Sequence, residues 1–381
     1  MKGVNLVGWP FLKAGIGEHF RNVASGFDSA DFDYSVTDTL EQCFNSTEFF
    51  KNDDFKLKSK SSNLNSFDIN ILNLNLNHLP RINKNIYNNK YNICYGYYEL
   101  SELLEQFADY ESYIDEYWAP TAFIQKVISR KLTVPVVHMP IPINITGPRK
   151  SIRKKLNLPE KAFLYLTSFD MRSLIERKNP HAAIDSYISA FKQVSANTGL
   201  VIKVSLKDGV ASQVNEFLSL KEYAKGREDI HFITNIMERE EILDLINSCD
   251  SYISLHRAEG LGLGMAEAMG MGKPVIATAY SGNMEFMTSF NSCLVDYRLI
   301  KDPTHEKMLP NQDVVGDFFW ADADIESASY LIRKVFIDND FRLQISKSAR
   351  NDILFNYSSE KIGFQYERRL DIIRRKILNN R

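Results

Sequence analysis

Residues Ser254 to Gly282, SLHRAEGLGLGMAEAMGMGKPVIATAYSG, decide how the chain is read. A short apolar strand, Tyr252 to Leu255, runs into a polar turn. After Glu259 come Gly260, Gly262 and Gly264 at alternate positions. A helix carrying Glu267 follows and ends at Gly270 or Gly272, and Pro274 opens the next strand, Pro274 to Ala277. Strand, glycine turn, helix and strand make one βαβ unit. A glycine turn at a helix start lets backbone amides approach an anion, and the helix dipole adds partial positive charge there, so phosphate suits the place. Glu259 and Glu267 bracket it at a spacing of at most about 12 Å along a helix. A diphosphate between two sugars spans a similar distance, and a carboxylate at each end can accept hydrogen bonds from hydroxyls on both sides. Other glycine motifs fit worse. Position 265 is Met where a dinucleotide fingerprint needs Gly, and Gly272-Lys273 is followed by Pro274 rather than the Ser or Thr of a P-loop.

Glu259, seven intervening residues and Glu267, set in EGLGLGMAEAMGMGKPVIAT, resemble the signature of the retaining GT-B glycosyltransferases of family four. The resemblance implies an α/β chain in the GT-B arrangement, two Rossmann-like domains facing a central cleft. It implies that Glu259 lies near the donor sugar and that Glu267 binds the nucleotide ribose. Gly260, Leu261, Gly262 and Leu263 then belong to the nucleotide-sugar site.

Composition agrees with an ordinary folded enzyme. At 381 residues two domains are expected. Hydrophobic residues make up 44% and charged residues 25%, and the net charge of -2 gives no support to a nucleic-acid partner. No apolar run approaches a membrane span, and the N-terminus MKGVNLVGWP lacks a signal-peptide pattern. Cys43, Cys94, Cys249 and Cys293 are scattered without a CxxC pair, which suits reduced thiols in a cytoplasm better than disulfides or zinc.

In the first half, Val4 to Val7 reads as a buried strand, Gly8 to Gly17 as a loop and Glu18 to Ser25 as a helix. Arg21, one turn after Gly17, is in reach of an anion at that helix start. The segment resembles the family's N-terminal glycine loop, which places Gly15 and Gly17 close to the donor phosphates or the acceptor. Residues 40 to 92 are rich in Asn, Lys and Ser, a load that reads as compositional bias. Within them Leu72, Leu74 and Leu76 alternate with Asn73, Asn75 and Asn77, the period of a strand. Strand ends of an open α/β sheet line the ligand crevice, so Asn77 and His78 are acceptor-side candidates, although a lone His there is more often structural. Tyr91 to Tyr98 is a further strand with Glu99 at its carboxyl end. A helix is expected to about Tyr110, then a strand from Tyr113 to Trp118, a helix after Pro120 and a last strand from Val134 to Val137. The run from Tyr97 through YIDEYWAPTAFIQ to HMPIPI resembles the N-domain of sugar transferases that build bacterial surface polysaccharides, with Tyr where those carry Trp. That places Glu99 on the acceptor side; an acid stabilised at a helix start is the equal alternative. PIPINITGPRKS has linker composition, so the expected domains are 1–148, completed by the C-terminal helix 359–381, and 149–358.

In the second half, Phe163 to Thr167, Leu200 to Val204 and Ile230 to Phe232 read as strands, with helices over His181 to Phe191 and Arg239 to Asn247. The turn SFDMRSLIERKNP brings Arg172, Arg177 and Lys178 to a strand end. In the resembling family a basic pair from this loop neutralises the leaving diphosphate, and Arg177 and Lys178 match it best. The chemistry calls for them, because fixed cations stabilise the charge that grows on a departing nucleoside diphosphate. The nucleotide base is expected near the loops after the two later strands. Ser281 to Met284 opens another turn whose amides are expected to add to phosphate binding, and residues 297 to 320 read as a long loop. Asp322-Ala323-Asp324 is similar to the DxD metal site of the other large transferase fold. It opens a helix at Ile325, however, where acids serve as caps, so neither metal nor cofactor is expected.

The resulting expectation is a retaining transferase that moves a sugar from a nucleoside diphosphate sugar to a hydroxyl. The wording of HRAEG and ERKNP favours GDP-mannose, with a UDP-sugar as the other donor the resemblance allows. By resemblance the acceptor is a glycan or a lipid-linked oligosaccharide of a surface polysaccharide. A phosphorylase or hydrolase on the same fold, or a non-catalytic nucleotide-sugar binding protein, are the alternatives. Ser359 to Leu378 reads as a basic helix that crosses back onto the N-domain through Ile362, Phe364, Tyr366, Leu370 and Ile373. Its Arg and Lys residues form a solvated face or, less simply, a peripheral contact with an anionic membrane.

Overall fold

The computed structural model describes residues 3–43, 67–145, 147–206, 210–302 and 318–379. Thr146, at the expected domain boundary, residues 44–66 of the Asn-, Lys- and Ser-rich segment, and residues 303–317 of the expected 297–320 loop lie outside the described residues. The chain divides into two compact units, Met1–Asn144 with Leu354–Arg381, and Ile145–Ile353.

The first unit is a parallel sheet of β1 (Gly3–Gly8), β2 (Asp33–Asp38), β3 (Ile69–Asn73), β4 (Tyr91–Tyr95), β5 (Glu116–Ala119) and β6 (Val136–His138), in the order β2-β1-β3-β4-β5-β6. Parallel strands covered on both faces read as continuous apolar runs, and Val4, Leu6, Val7, Ile71, Leu72 and Ile93 are fully buried. One polar row crosses this core. Ser35, Asn5, Asn70 and Asn92 stand in register on β2, β1, β3 and β4. The Ser35 hydroxyl donates to Asn5 Oδ1 (2.8 Å), Asn5 Nδ2 to Asn70 Oδ1 (2.8 Å), and Asn70 Nδ2 to Asn92 Oδ1 (2.8 Å). At Asn70 and Asn92 the Asn load is therefore a satisfied buried ladder, not compositional bias.

The C-terminal helix, Ser359–Asn379, belongs to this unit and packs on the helix Gly15–Ser29. Tyr366 explains why it is held. Its ring stacks on Phe27 and on Trp118, and its hydroxyl lies 3.2 Å from that of Tyr95. Arg369 donates two bonds to Glu116 (2.8 and 2.6 Å), a carboxylate with no exposed side-chain surface. Ile362, Tyr366, Leu370 and Ile373 are buried as expected, but Phe364 is 58% exposed. It points outward with Ile372, next to Arg368 and Arg375. Among the described residues no helix is long and apolar enough to cross a membrane.

The second unit contains β7 (Phe163–Asp170), β8 (Thr198–Ser205), β9 (Ile230–Ile233), β10 (Ser251–Ser254), β11 (Val275–Thr278) and β12 (Cys293–Val295), all parallel in the order β12-β11-β10-β7-β8-β9. Strand order reverses between β7 and β10 here, and between β1 and β3 in the first unit. Open α/β sheets bind ligands outside the carboxyl ends of strands at such a reversal. β13 (Tyr297–Lys301) and β14 (Phe319–Ala323) pair antiparallel, so the ends of the expected 297–320 loop are strands.

Three further local readings need correction. Gly15 and Gly17 lie in the first turn of the helix Gly15–Ser29 rather than in the loop before it. A side chain on Gly17 would meet the Leu12 carbonyl at 2.1 Å, so the close loop requires glycine. The Leu72/Leu74/Leu76 alternation does not extend β3 past Asn73. Past the buried Leu74 the chain turns into a 3-10 helix, Leu76–Arg81, that buries Leu76 and Leu79 without a ladder. Residues 98–104 do not form the expected helix, because they wrap the ring of Tyr98. Its hydroxyl donates to Glu102 O (2.9 Å) and accepts from the Leu104 amide (3.1 Å); helix forms only over Glu105–Ala108.

The contact between the two helices of the first unit makes one clear prediction. A Cβ on Gly363 would sit 2.3 Å from the Gly26 carbonyl. Gly363→Ala should therefore destabilise the protein by about 1–3 kcal/mol, although alanine is the better helix former by ~1 kcal/mol. Urea unfolding measures this, and a raised midpoint would contradict the close packing.

Candidate functional site

The β7–β10 reversal in the second unit is where the residues singled out in sequence converge. The loop after β7 carries a short helix, Ile175–Lys178, that ends at Asn179 in the left-handed conformation (φ 52°), and Pro180 starts the next helix. The loop after β10 runs from Leu255 to Gly262. The two loops are stitched together. The Arg257 amide donates to Arg177 O (2.8 Å), Arg177 Nη1 to Ala258 O (2.8 Å), Asn179 Nδ2 to Leu255 O (3.0 Å), and Arg257 Nη1 to Glu176 O (2.6 Å).

This stitching sets Arg177 and Lys178 against Glu259. Lys178 Nζ is hydrogen-bonded to Glu259 Oε1, and Arg177 Nη1 lies 3.7 Å from the same oxygen. All three side chains are largely buried. Burial alone would raise the Glu259 pKa, but Lys178 and then Arg177 outweigh it and hold the carboxyl at about 2. Arg172, the third cation of the turn, is instead paired to Asp170 at the end of its own strand.

Glu259 is fixed by a second turn. Its amide donates to Ser281 Oγ (2.8 Å), and its carbonyl accepts from the Gly282 amide (2.9 Å). Ser281 is held at φ 74°, a strained conformation for a non-glycine residue. Gly282 must be glycine, since a Cβ would meet the Gly260 carbonyl at 2.1 Å. The expectation that this turn presents amides to phosphate is corrected at Gly282, whose N–H is committed to Glu259. His256 sits fully buried beneath. Its Nε2 faces two acceptors, Tyr280 O (3.2 Å) and Asn283 Oδ1 (3.1 Å), and so carries the proton, while Nδ1 accepts from Ser254 Oγ (3.0 Å). Burial lowers its pKa, so it is a neutral brace.

The glycine turn ends at Gly262 in the left-handed conformation (φ 87°), and the helix Leu263–Gly270 starts there. The amides of Met265 and Ala266 close on Gly262 O (2.9 and 3.2 Å). Those of Leu263 and Gly264 precede the intrahelical ladder, as helix N-termini require. Gly264 approaches Tyr252 closely; a Cβ there would lie 2.8 Å from its hydroxyl. Gly260 and Leu261 are buried in the turn. Glu267 is buried inside the helix with its Oε1 2.5 Å from Arg239 Nη2. Sequence reading missed Arg239 and Arg257, and took Ser281 only for its backbone amide, because each side chain acts by reaching an element distant in sequence.

At the end of β14, Asp322 takes Arg257 (3.0 Å) and Arg298 (3.2 Å), and Asp324 caps the following helix by accepting from the Ser327 amide (2.9 Å). Asp322 thus stands on a strand, and of the two acids only Asp324 serves as the expected cap.

The first unit's candidates follow β1, β3 and β4, and most are structurally committed. Arg21 bonds Glu18 Oε2 (2.7 Å) and the carbonyls of Pro10 (2.7 Å) and Leu12 (3.2 Å), clasping the loop before its helix. His78 packs edge-on against Trp9, and burial, with Arg81 nearby, lowers its pKa to about 4. Asn77 lies beside it in the 3-10 helix. Gly15 opens onto space, with no atom within 4 Å of a Cβ built there. Glu99 is half-buried on the extended segment after β4. His19 was not singled out, yet it is fully buried there, 3.0 Å from the Tyr97 hydroxyl, with its pKa lowered by burial to about 3.

Residues 148–309 match the family model described as glycosyl transferases group 1. Comparison with curated proteins gives no match. Three solved structures are similar over nearly the full length. HepE of Anabaena in complex with UDP and glucose is 13% identical over 97% of this chain and 100% of that one, with a TM-score of 0.66. A glycosyltransferase from Rickettsia africae is 15% identical over 100% of both chains, at 0.66. Sucrose-phosphate synthase of Thermosynechococcus elongatus is 13% identical over 100% of both, at 0.68. At these identities the likeness establishes the fold, which is GT-B.

The depressed Glu259 pKa has a consequence for stability. Its contribution is full above the ordinary carboxyl value of 4.5 and is lost as pH falls from there towards 2. Glu259→Gln should flatten that part of the pH–Tm profile relative to wild type. Melting curves between these two pH values check this; parallel profiles would show that Glu259 does not hold the ion pair.

Proposed function

We propose that the chain is a glycosyl transferase of group 1, a retaining GT-B enzyme that uses a nucleotide-sugar donor, a reading supported by the match of residues 148–309 to that family's model, and that its residues carry out the transfer as follows. The donor diphosphate lies against the amides at the start of the helix Leu263–Gly270, between Glu259 on the sugar side and Glu267 on the ribose side. Gly260, Leu261, Gly262 and Leu263 shape the turn around it. The observation that carries this reading is the buried cluster of Lys178, Arg177 and Glu259 beside those amides, at the β7–β10 reversal.

Bond exchange follows from the cluster. The bond between the anomeric carbon and the diphosphate oxygen breaks, and negative charge grows on the departing diphosphate. Lys178 and Arg177 turn from Glu259 to that charge and stabilise it where it develops. The acceptor hydroxyl forms its bond to the anomeric carbon on the same face and gives its proton to the departing phosphate oxygen, so configuration is retained without a protein nucleophile. Glu259, relieved of Lys178, accepts a hydrogen bond from a donor-sugar hydroxyl. Gly15 and Gly17 remain assigned to the donor phosphates or the acceptor, and Glu99, Arg21, Asn77 and His78 to the acceptor side; of these, Gly15 and Glu99 are the least committed to the fold.

For the donor we favour a UDP-sugar, supported by HepE, a protein of the same fold that binds UDP and glucose. GDP-mannose, the reading of the HRAEG and ERKNP segments, is its competitor. The acceptor we assign is a hydroxyl of a glycan or lipid-linked oligosaccharide of a surface polysaccharide. The outward Phe364, Arg368, Ile372 and Arg375 suit an enzyme that meets such an acceptor at an anionic membrane surface.

A thermal-shift panel of UDP-, GDP-, ADP- and TDP-sugars should single out one base. A true donor at 100 times its Kd adds about 2.7 kcal/mol of stability. With that donor, Lys178→Ala should lower kcat about a hundredfold while the protein stays folded, and label should pass into lipid-extractable acceptor presented in anionic vesicles. Wild-type turnover in both Lys178→Ala and Glu259→Ala would overturn the mechanism. Transfer to soluble glycans alone would remove the lipid-linked acceptor and the membrane contact.

A further inference from the structure

Arg239 stands where a helix gains nothing from it. It is the first residue of the helix Arg239–Ser248, directly after the N-cap Glu238, and a cation in a first turn opposes the helix dipole. Its neighbours suit that position. Glu241 closes a capping box with Glu238, Glu240 pairs with Arg149 (2.5 Å), and Glu241 also pairs with Lys155 (2.5 Å). These contacts hold the helix start without Arg239.

The Arg239 guanidinium instead crosses to the adjacent helix and meets Glu267. Nη2 and Oε1 are 2.5 Å apart and both buried, in contact as an ion pair without the alignment of a hydrogen bond. The Glu267 side chain is only 2% exposed. A carboxylate this deeply buried stays ionised only with a counter-charge close by. Arg239 follows the loop after β9, one of the loops where sequence places the nucleotide base.

We infer that Arg239 is a positioning residue for the nucleotide ribose. It holds the Glu267 carboxylate ionised and fixes its orientation, so that the ribose hydroxyls donate to an anionic acceptor rather than to a neutral acid. Hydrogen bonds to an ionised acceptor are roughly twice as strong as neutral ones. The inference rests on the reading of Glu267 as the partner of the ribose.

The test is calorimetric binding to the full-length protein of UDP, or of GDP where the donor panel selects guanine, and of the matching 2′,3′-dideoxy nucleotide. Glu267→Ala should weaken the natural nucleotide and leave the dideoxy analogue nearly unchanged. Arg239→Ala should do the same, by about tenfold, and Arg239→Lys should restore part of the loss. In a Glu267→Ala background, Arg239→Ala should add nothing. The lysine variant keeps the cation, so it reports on the contact even where the alanine variant melts early. If Glu267→Ala weakens both nucleotides equally, the ribose reading fails and the inference falls with it. If Glu267→Ala is selective but Arg239→Ala weakens both nucleotides equally, or the two losses multiply, the inference alone is overturned.

Discussion

The candidate site depends on one buried arrangement, a carboxylate held between two cations on adjoining loops. Removing any of Lys178, Arg177 or Glu259 from a low-dielectric pocket leaves charge without compensation, which is far costlier than losing a surface pair. The arrangement therefore holds both cations in position against Glu259. On the proposed mechanism a diphosphate then replaces Glu259 as their counter-charge, and little reorganisation is left for the step in which the leaving group forms. That is the sense in which the site is prepared for a transition state rather than for a substrate alone.

Sheet topology puts the arrangement where it is. β7 and β10 are adjacent in the sheet, yet the chain leaves them for helices on either side of the reversal, so the loops that follow diverge and open a crevice. Backbone contacts then do the fine placement. Arg257 bonds the carbonyls of Glu176 and Arg177 from across the crevice, and Ser281 accepts a strained backbone conformation to receive the Glu259 amide. Gly282 approaches Gly260 so closely that a side chain would part them. Much of the precision thus comes from residues outside the proposed transfer chemistry, each of which supports one assigned to it.

How much of this was legible in sequence follows from the range of each interaction. The β7, β8, β10 and β11 strands and the helix around Glu267 were readable because apolar runs, glycines and Pro274 act locally. Glu259 and Glu267 could be named from their spacing around the glycine turn and, like Arg177 and Lys178, from a family resemblance, and the structure brings Lys178 to Glu259 across 81 positions. What local pattern could not carry was anything fixed by a distant partner. The Asn5–Asn70–Asn92 ladder looked like biased composition because each amide finds its mate on another strand. Tyr98 overrode the helix expected after Glu99 by drawing the chain around its ring. Arg21 looked like an anion ligand because nothing in its neighbourhood announced the Pro10 and Leu12 carbonyls that claim it, and Arg239 was read only as the start of a helix.

The most direct measurement is a crystal structure of the full-length protein bound to the nucleoside diphosphate that the panel selects. The account predicts phosphate oxygens within hydrogen-bond distance of the Leu263 and Gly264 amides, with Lys178 moved from Glu259 onto the diphosphate. A diphosphate bound elsewhere, or one bound there while Lys178 stays on Glu259, would contradict it.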